Sequence, residues 1–290
     1  MIELVEVSAR DGLQNEPRVL PTADKVELIR RAVDAGAKRL EVASFVHPGK
    51  VPQMADAEAV IAALPKGMAR TVGLVLNKRG ALRALDTAID EIGVVCAASD
   101  TFGTRNQGMD SQASLDMACD VVRFCHEQGR AAQVTIAVAF GCPFEGKVDP
   151  ARVVAMARQI AAAGSIEIAI ADTIGIGRPE EVEHLASAVR AAVPSLPLRV
   201  HFHDTRGMGV ANVMAAVRSG AVTVDASIGG TGGCPFAPGA AGNVASEDVA
   251  YALGDQLNID IAKLVATAGW LNDKLGRDKT SAVARAFASQ

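Results

Sequence analysis

The chain has 290 residues, of which 49% are hydrophobic, 21% are charged and only 3% are aromatic. This composition excludes a disordered chain and favours a large aliphatic core, as in a parallel sheet covered by helices. The formal net charge of −4, without any run of Lys or Arg, argues against nucleic acid as a partner.

Short β-branched runs alternate with Ala-rich helical stretches at a spacing of roughly 30 residues. The predicted strands cover residues 2–7, 39–45, 71–76, 91–97, 133–140, 166–171, 198–203 and 223–228. The predicted helices cover residues 22–36, 53–64, 78–86, 111–129, 150–163, 179–193, 207–219 and 245–253, followed by 260–274 and 281–288. Pro150 and Pro179 stand where helices should begin, and Gly36 and Gly129 where they should end.

Eight consecutive βα units without a linker predict an α/β fold, a (β/α)8 TIM barrel formed by one domain over residues 1–290. Residues 256–290 are expected to be appended C-terminal helices, which could support a homodimer. A doubly wound open sheet is the rival architecture, but no GxGxxG follows the first strand.

The chain shows no apolar run of about 18 residues, the length that a transmembrane helix requires. Its first residues are typical of a strand rather than of a signal peptide, and its last residues carry no peroxisomal tripeptide. The five cysteines lack CxxC spacing, which favours reduced thiols over a disulfide framework. We therefore expect a cytoplasmic protein that does not associate with membranes.

His201 and His203 give the strongest chemical signal, in the sequence His201-Phe202-His203-Asp204. Residues i and i+2 of a strand point to the same face, so the two imidazoles should project together near the carboxyl end of the seventh strand. Active sites of TIM barrels form at that end. The pattern favours a pair of metal ligands over two hydrogen-bonded core histidines.

Arg10 and Asp11 follow the first strand directly and should also lie at the mouth of the barrel. Such a pair can be a surface ion pair, but at a barrel mouth Asp11 suits a metal and Arg10 suits an oxyanion. Glu41 in the second strand and Asp172 at the end of the sixth are carboxylates among apolar residues, which need partners when buried. We expect Glu41 to orient Arg10.

A glycine-rich loop over residues 229–243 follows the eighth strand, with six glycines in fifteen residues. Glycine allows a backbone to approach a ligand closely, so this loop is interpreted as a functional cover for the barrel mouth rather than an idle lid. The loop contains one thiol, Cys234, and one amide oxygen ligand, Asn243.

These motifs together resemble the 3-hydroxy-3-methylglutaryl-CoA lyase family, and the resemblance extends from near residue 2 to the C-terminal tail. The matching segments are 8–16 (SARDGLQNE), 43–46 (ASFV), 51–54 (VPQM), 141–146 (GCPFEG), 201–205 (HFHDT) and the Cys234 loop. Two departures lie near the expected mouth: Arg206-Gly207-Met208 replaces Tyr-Gly-Gln, and Pro17 replaces a common lysine.

The resemblance implies a Mg2+- or Mn2+-dependent lyase that cleaves 3-hydroxy-3-methylglutaryl-CoA to acetyl-CoA and acetoacetate, in leucine degradation. It implies a metal held by Asp11, His201, His203 and Asn243. It also implies Cys234 as the catalytic thiol, and Arg10, Gln14, Glu41 and Asp172 as substrate-site residues. The chemistry of the cleavage further requires a group beside the metal, Asp11 or His201, to accept the hydroxyl proton.

Three alternatives remain. The departures at Arg206, Met208 and Pro17 suggest a lyase for another hydroxyacyl-CoA or hydroxy acid. A synthase of the isopropylmalate type would run the condensation, but that class usually carries an added C-terminal domain. A non-catalytic metal-binding or acyl-CoA-binding protein would not need Arg10 and Cys234 together.

Overall fold

Eight parallel strands close into a barrel in the computed structural model, which describes residues 1–233 and 242–288. The strands are β1 (Glu3–Glu6), β2 (Arg39–Ser44), β3 (Arg70–Val75), β4 (Glu91–Ala97), β5 (Ala131–Ala137), β6 (Ile168–Asp172), β7 (Leu198–Phe202) and β8 (Thr223–Ala226). Each strand pairs with its neighbours in chain order, and β1 pairs with β8 to close the ring. The predicted TIM barrel is therefore confirmed.

Helices cover the outside of the barrel, and most of them pack an apolar face against the strands. They are α1 (Thr22–Asp34), α2 (Ala57–Ala63), α3 (Lys78–Leu85), α4 (Asp100–Gln107), α5 (Ser111–Glu127), α6 (Pro150–Ala162), α7 (Pro179–Ala192), α8 (Gly209–Arg218), α9 (Ser246–Leu253), α10 (Ile261–Leu275) and α11 (Ala282–Phe287). Proline occupies the first turn of α6 and α7, as predicted. Among the described residues, no helix has both the length and the apolar character needed to cross a membrane.

The C-terminal helices α10 and α11 extend the outer layer rather than forming a separate body. Helix α10 packs against α1, α9 and the short turn Ile228–Gly230, and α11 packs against α9 and α10. The tail therefore contacts the segment that leads from β8 into the glycine-rich loop.

Among the described residues, three local elements after β1, β4 and β5 were not predicted. A π-helical turn, Ser8–Gly12, follows β1, and helix α4 lies between β4 and α5. A small hairpin pairs Gly141–Cys142 with Gly146–Lys147 after β5. All three lie on the side of the barrel where the strands end, and this is where barrel enzymes place their sites.

Candidate active site and metal centre

The π-helical turn after β1 directs Arg10 and Asp11 into the barrel mouth. Such turns are rare and occur often at functional sites, because they re-aim side chains that a regular helix would point elsewhere. Gly12 must be small here, because a Cβ would lie 3.0 Å from the Ser227 hydroxyl and 3.2 Å from Thr231. The turn is thereby packed directly against the segment after β8.

Asp11, His201 and His203 form one cluster, in which the nearest potential ligand atoms all lie within 4.8 Å of one another. The His201 Nε2 and Asp11 Oδ2 atoms are 4.0 Å apart, and the two imidazole centroids are 5.3 Å apart. The i and i+2 spacing of the histidines thus places both rings on the same side, as predicted. Two nitrogens and a carboxylate at this separation fit a divalent cation.

Asn243 joins the cluster from the far side of the glycine-rich loop. Its Nδ2 donates hydrogen bonds to Asp11 Oδ2 at 2.7 Å and to the Thr231 carbonyl at 3.0 Å. Its Oδ1 is buried and has no hydrogen-bond partner among the described residues, and the same holds for the Nδ1 atom of His203. Buried acceptors that lack a donor are costly, so an oxygen ligand at Asn243 and a nitrogen ligand at His203 would both gain a partner from a bound cation.

The electrostatic environment of the cluster favours a bound cation, because it keeps Asp11 ionised and His203 neutral. Burial opposes ionisation of Asp11, but Arg10 and the two imidazoles outweigh it and hold the pKa of this carboxyl well below its usual range. Burial and the neighbouring His201 lower the pKa of His203 to about 4, so its ring is neutral and can coordinate at pH 7. Burial lowers the pKa of His201, but the hydrogen bond to Asp225 and the Asp11 charge reverse this effect and raise it.

Glu41 fixes the guanidinium of Arg10. Arg10 Nε donates to Glu41 Oε2 at 2.7 Å, Nη2 donates to the same oxygen, and Nη1 donates to Asp11 Oδ1 at 2.7 Å. The expected contact between Glu41 and Arg10 is therefore present. The Gln14 side chain lines the cavity, and its buried Oε1 has no partner in the part of the chain that the structure describes.

A cavity of about 990 Å3 is lined by these groups. Its lining also includes residues of the barrel strands and the basic side chains of Lys50, Arg79, Arg83 and Arg105. A cavity of this size suits a ligand larger than a simple hydroxy acid. Because Arg10, Asp11, His201 and His203 belong to the lining, a ligand in the cavity would contact the polar cluster.

Asp172 does not join the cluster. Its carboxylate accepts hydrogen bonds from the backbone amides of Ile176 at 3.0 Å and Gly177 at 2.8 Å, and therefore shapes the loop after β6. Burial raises the pKa of Asp172, and these amides oppose the effect. The cavity lining in the described part of the chain contains its neighbours Ala171 and Thr173 instead.

The two departures from the family pattern also lie away from the cavity lining of the described residues. Arg206 Nη1 donates to the carbonyls of Ile174 at 3.3 Å and Gly175 at 2.8 Å. Met208 is 41% exposed, and Pro17 is exposed as well. The interpretation of these positions as residues of the substrate mouth is therefore not supported by their placement.

Cys234 lies outside the described residues, as does the rest of the segment 234–241. The two residues that flank this segment, Gly233 and Gly242, are each fixed by a hydrogen bond. Asn15 Nδ2 donates to the Gly233 carbonyl at 2.8 Å, and Gly233 lines the cavity. The Gly242 carbonyl accepts from the Asp204 amide at 2.9 Å.

Sequence reasoning missed Asp225, Arg199 and Gln133, which line the cavity from β8, β7 and β5. Asp225 Oδ2 lies 3.1 Å from His201 Nδ1, and its Oδ1 accepts from Arg199 Nε at 2.5 Å. The sequence did contain a signal for Asp225 and Arg199, because each is a charged residue inside an apolar strand, the pattern that identified Glu41. Helix α4 was also missed, although Phe102 and Arg105 contribute to the cavity wall.

Comparisons with known proteins agree with this geometry. A family model described as HMGL-like matches residues 1–270. The mitochondrial hydroxymethylglutaryl-CoA lyase of Arabidopsis thaliana is 40% identical in an alignment that covers 99% of this chain, and the chain spans 62% of that protein's length. The (R)-citramalyl-CoA lyase of Chloroflexus aurantiacus is 38% identical over 98% of this chain and 94% of its own length.

A solved structure gives the same result. The HMG-CoA lyase from Acinetobacter baumannii, in complex with coenzyme A and 3-methylmalate, superimposes with a TM-score of 0.93 at 37% identity. The superposition covers 99% of this chain and 95% of that one. The resemblance seen in the motifs is thereby confirmed, and the chain belongs to the HMGL-like family.

Proposed function

We propose that this chain is a divalent-metal-dependent lyase that cleaves 3-hydroxy-3-methylglutaryl-CoA to acetyl-CoA and acetoacetate. The observation that carries the proposal is that Arg10 lies beside the Asp11, His201 and His203 cluster in the lining of the large cavity. The relatives and the solved structure named above support the choice of an acyl-CoA lyase.

Four side chains would hold the cation: Asp11, His201, His203 and Asn243. Oxygen and imidazole donors suit Mg2+ or Mn2+ in this set. When bound, the cation would acidify the substrate hydroxyl and fix the distal carboxylate. The unpartnered Oδ1 of Asn243 and the neutral ring of His203 make both residues ready for this role.

The reaction is a retro-Claisen cleavage. The C3 hydroxyl gives up its proton, the C2–C3 bond breaks, and its electron pair forms the enolate of the departing thioester while C3 becomes a ketone. In this proposal Arg10 stabilises the enolate oxygen; Glu41 and Asp11 hold its guanidinium and leave other N–H groups for a ligand. Asp11 or His201 accepts the hydroxyl proton.

Cys234 completes the reaction in this proposal by protonating the C2 carbanion to give acetyl-CoA. The assignment comes from the family motif, because the residue lies outside the described part of the chain. Gly233, which precedes it, lines the cavity, so the backbone enters the cysteine-containing segment beside the proposed substrate.

One comparison favours a second candidate substrate, a citramalyl thioester. The (R)-citramalyl-CoA lyase is almost as similar to this chain as the hydroxymethylglutaryl-CoA lyase, at 38% against 40% identity. Cleavage of a citramalyl thioester by the same steps also releases acetyl-CoA, but its other product is pyruvate. The second product therefore distinguishes the two substrates.

The test supplies each thioester to the Mn2+-loaded protein and quantifies acetoacetate and pyruvate by mass spectrometry. We expect acetoacetate from the methylglutaryl thioester at a kcat/KM well above that for the citramalyl thioester. The reverse preference would replace the proposed substrate and keep the reaction class. Turnover of neither compound by protein that binds Mn2+ would overturn the proposal.

Arg10→Lys tests the role of Arg10 in turnover, because lysine keeps the positive charge but lacks the planar guanidinium that donates to Glu41. Arg39→Lys is its control. Arg39 is also a buried arginine in an ion pair, with Glu91, and it lies at the opposite end of the barrel. Loss of turnover in the first variant alone supports a substrate role for Arg10, whereas equal losses would indicate a structural one.

Three further expectations belong to the same proposal: a single domain over residues 1–290, a homodimer and a cytoplasmic location. The dimer would use the appended C-terminal helices over residues 256–290. Sedimentation measurements would test the dimer directly.

A further inference from the structure

Asp225 lies beside the proposed metal ligands but is not one of them. It is in β8, in register with His201 of β7, and is 4% exposed. One carboxylate oxygen, Oδ2, lies 3.1 Å from His201 Nδ1, while Oδ1 accepts from Arg199 Nε at 2.5 Å. The same carboxylate therefore bridges an arginine and an imidazole in the barrel interior.

We propose that Asp225 is a positioning residue that holds the proton of His201 on Nδ1, so that Nε2 faces the cluster with a free lone pair. An ionised carboxylate only accepts hydrogen bonds, so the imidazole nitrogen opposite it must be the donor. The other ring nitrogen, Nε2, lies on the cluster side, 4.0 Å from Asp11 Oδ2. This inference rests on the proposed metal site, and of the two proton acceptors named above it leaves Asp11, because both nitrogens of His201 are then occupied.

Asp225 can do this because its own position is fixed. Arg199 holds Oδ1, and Arg199 is held in turn by Gln133 Oε1, to which its Nη1 donates at 2.6 Å. Glu167 lies 3.9 Å from the same guanidinium. Since both oxygens of Asp225 are occupied, the carboxylate cannot rotate away from the imidazole without losing a hydrogen bond to a buried charge.

The charge of Asp225 is maintained by the same contacts. Burial disfavours ionisation, but Arg199 and His201 outweigh it and keep the pKa of Asp225 below its ordinary value. A carboxylate behind a metal-binding histidine fixes the ring and its tautomer, and losing such a partner typically weakens metal binding by about 10–100-fold. The structure places Asp225 in that arrangement.

A purely structural role is the competing explanation, in which Asp225 only neutralises Arg199. Glu91 offers a matched control in the same buried network. It accepts from Arg39 Nε at 3.0 Å, from Arg39 Nη2 at 2.5 Å and from Gln133 Nε2 at 3.2 Å, and is 5% exposed. Glu91→Gln therefore removes one charge from this network but leaves the contact between Asp225 and His201 in place.

The first experiment titrates Mn2+ into metal-free wild type, Asp225→Asn and Glu91→Gln, with binding followed by electron paramagnetic resonance. In Asp225→Asn, the amide oxygen can accept from Arg199 and the amide nitrogen can donate to His201 Nδ1, which moves the ring proton to Nε2. We expect the Mn2+ dissociation constant to rise about 10–100-fold in this variant and to stay unchanged in Glu91→Gln. Equal weakening in both variants, or unchanged binding in Asp225→Asn, would overturn the inference.

The second experiment needs no variant of Asp225 and no metal. Long-range 1H–15N spectra of the wild-type imidazoles are recorded at a pH high enough to leave the rings neutral, and His201→Gln identifies the His201 signals among the five histidines. A proton on Nδ1 supports the inference, and a proton on Nε2 contradicts it. If wild type binds no Mn2+, the proposed metal site fails, and these spectra still decide the role of Asp225.

Discussion

Gly242 should be the least replaceable glycine of those that flank the cysteine-containing segment. Its φ is +62°, and a Cβ there would lie 2.2 Å from the Gly232 carbonyl oxygen and 2.8 Å from that of Gly230. Both contacts are with backbone, so Gly242→Ala must move the chain. A left-handed conformation costs an L-residue about 1–2 kcal/mol, and overpacking adds about 1–3 kcal/mol. We expect a total loss of about 2–5 kcal/mol.

Gly207→Ala is the matched control. Gly207 has nearly the same φ, +70°, but nothing lies within 4 Å of its would-be Cβ, so only the conformational cost applies. Taking about 2 °C per kcal/mol for a chain of this size, calorimetry should show Tm losses of about 2–4 °C for Gly207→Ala and about 4–10 °C for Gly242→Ala. Mn2+ binding should weaken only in Gly242→Ala, because Asn243 follows it. Equal Tm losses with unchanged Mn2+ affinity would refute this reasoning.

Three further substitutions test the metal site, the catalytic thiol and Glu247, a buried carboxylate of α9 that accepts from the Gly229 amide. His203→Ala should lose the cation, and unchanged metal content on elemental analysis would remove His203 from the ligand set. Cys234→Ala should keep metal affinity and lose about 10²–10⁴-fold in turnover, as for a general acid; full activity would exclude the thiol. Burial raises the pKa of Glu247 from 4.5 to about 7, so the stability it confers is complete below about pH 4.5 and is lost as pH rises through about 7. Glu247→Gln should remove this fall of about 3 kcal/mol from denaturant melts across that range; an unchanged profile would contradict the assignment.

The barrel could be predicted from the sequence because strand and helix periods alternate cleanly along the chain. The predicted strand over residues 91–97 matches β4 residue for residue, and most other boundaries differ by one or two positions. Helix α4 could not be predicted in the same way. Its sequence, DTFGTRNQ, contains Gly, Thr and Asn, which are weak helix formers, so its conformation depends on tertiary packing.

The site was predictable where chemistry and position coincide. His201 and His203 were found because two imidazoles at i and i+2 end a strand, and Arg10 because it follows one directly. Asp172 ends a strand too, yet its carboxylate turns to the backbone of its own loop. Residue type and strand position predict the height of a side chain along the barrel. They do not predict which hydrogen-bond donors that side chain will contact.

For Asp225, the sequence does not reveal which residue its side chain contacts. One aspartate in the sequence Thr223-Val224-Asp225-Ala226 gives no sign that it contacts a histidine of the neighbouring strand. That contact depends on the register between β7 and β8, which pairs Asp225 with His201. Registers between strands separated by a helix are set by packing around the whole barrel, so the partner of a buried charge is visible only in the folded chain.

The most direct test of the central claim is the release of acetyl-CoA from 3-hydroxy-3-methylglutaryl-CoA by chelator-treated protein, before and after addition of Mg2+ or Mn2+. The proposed function predicts negligible release without cation and equal amounts of acetyl-CoA and acetoacetate once it is added. Release at the same rate without any cation would contradict the metal-dependent mechanism. No release after the cation has bound would contradict the proposed substrate.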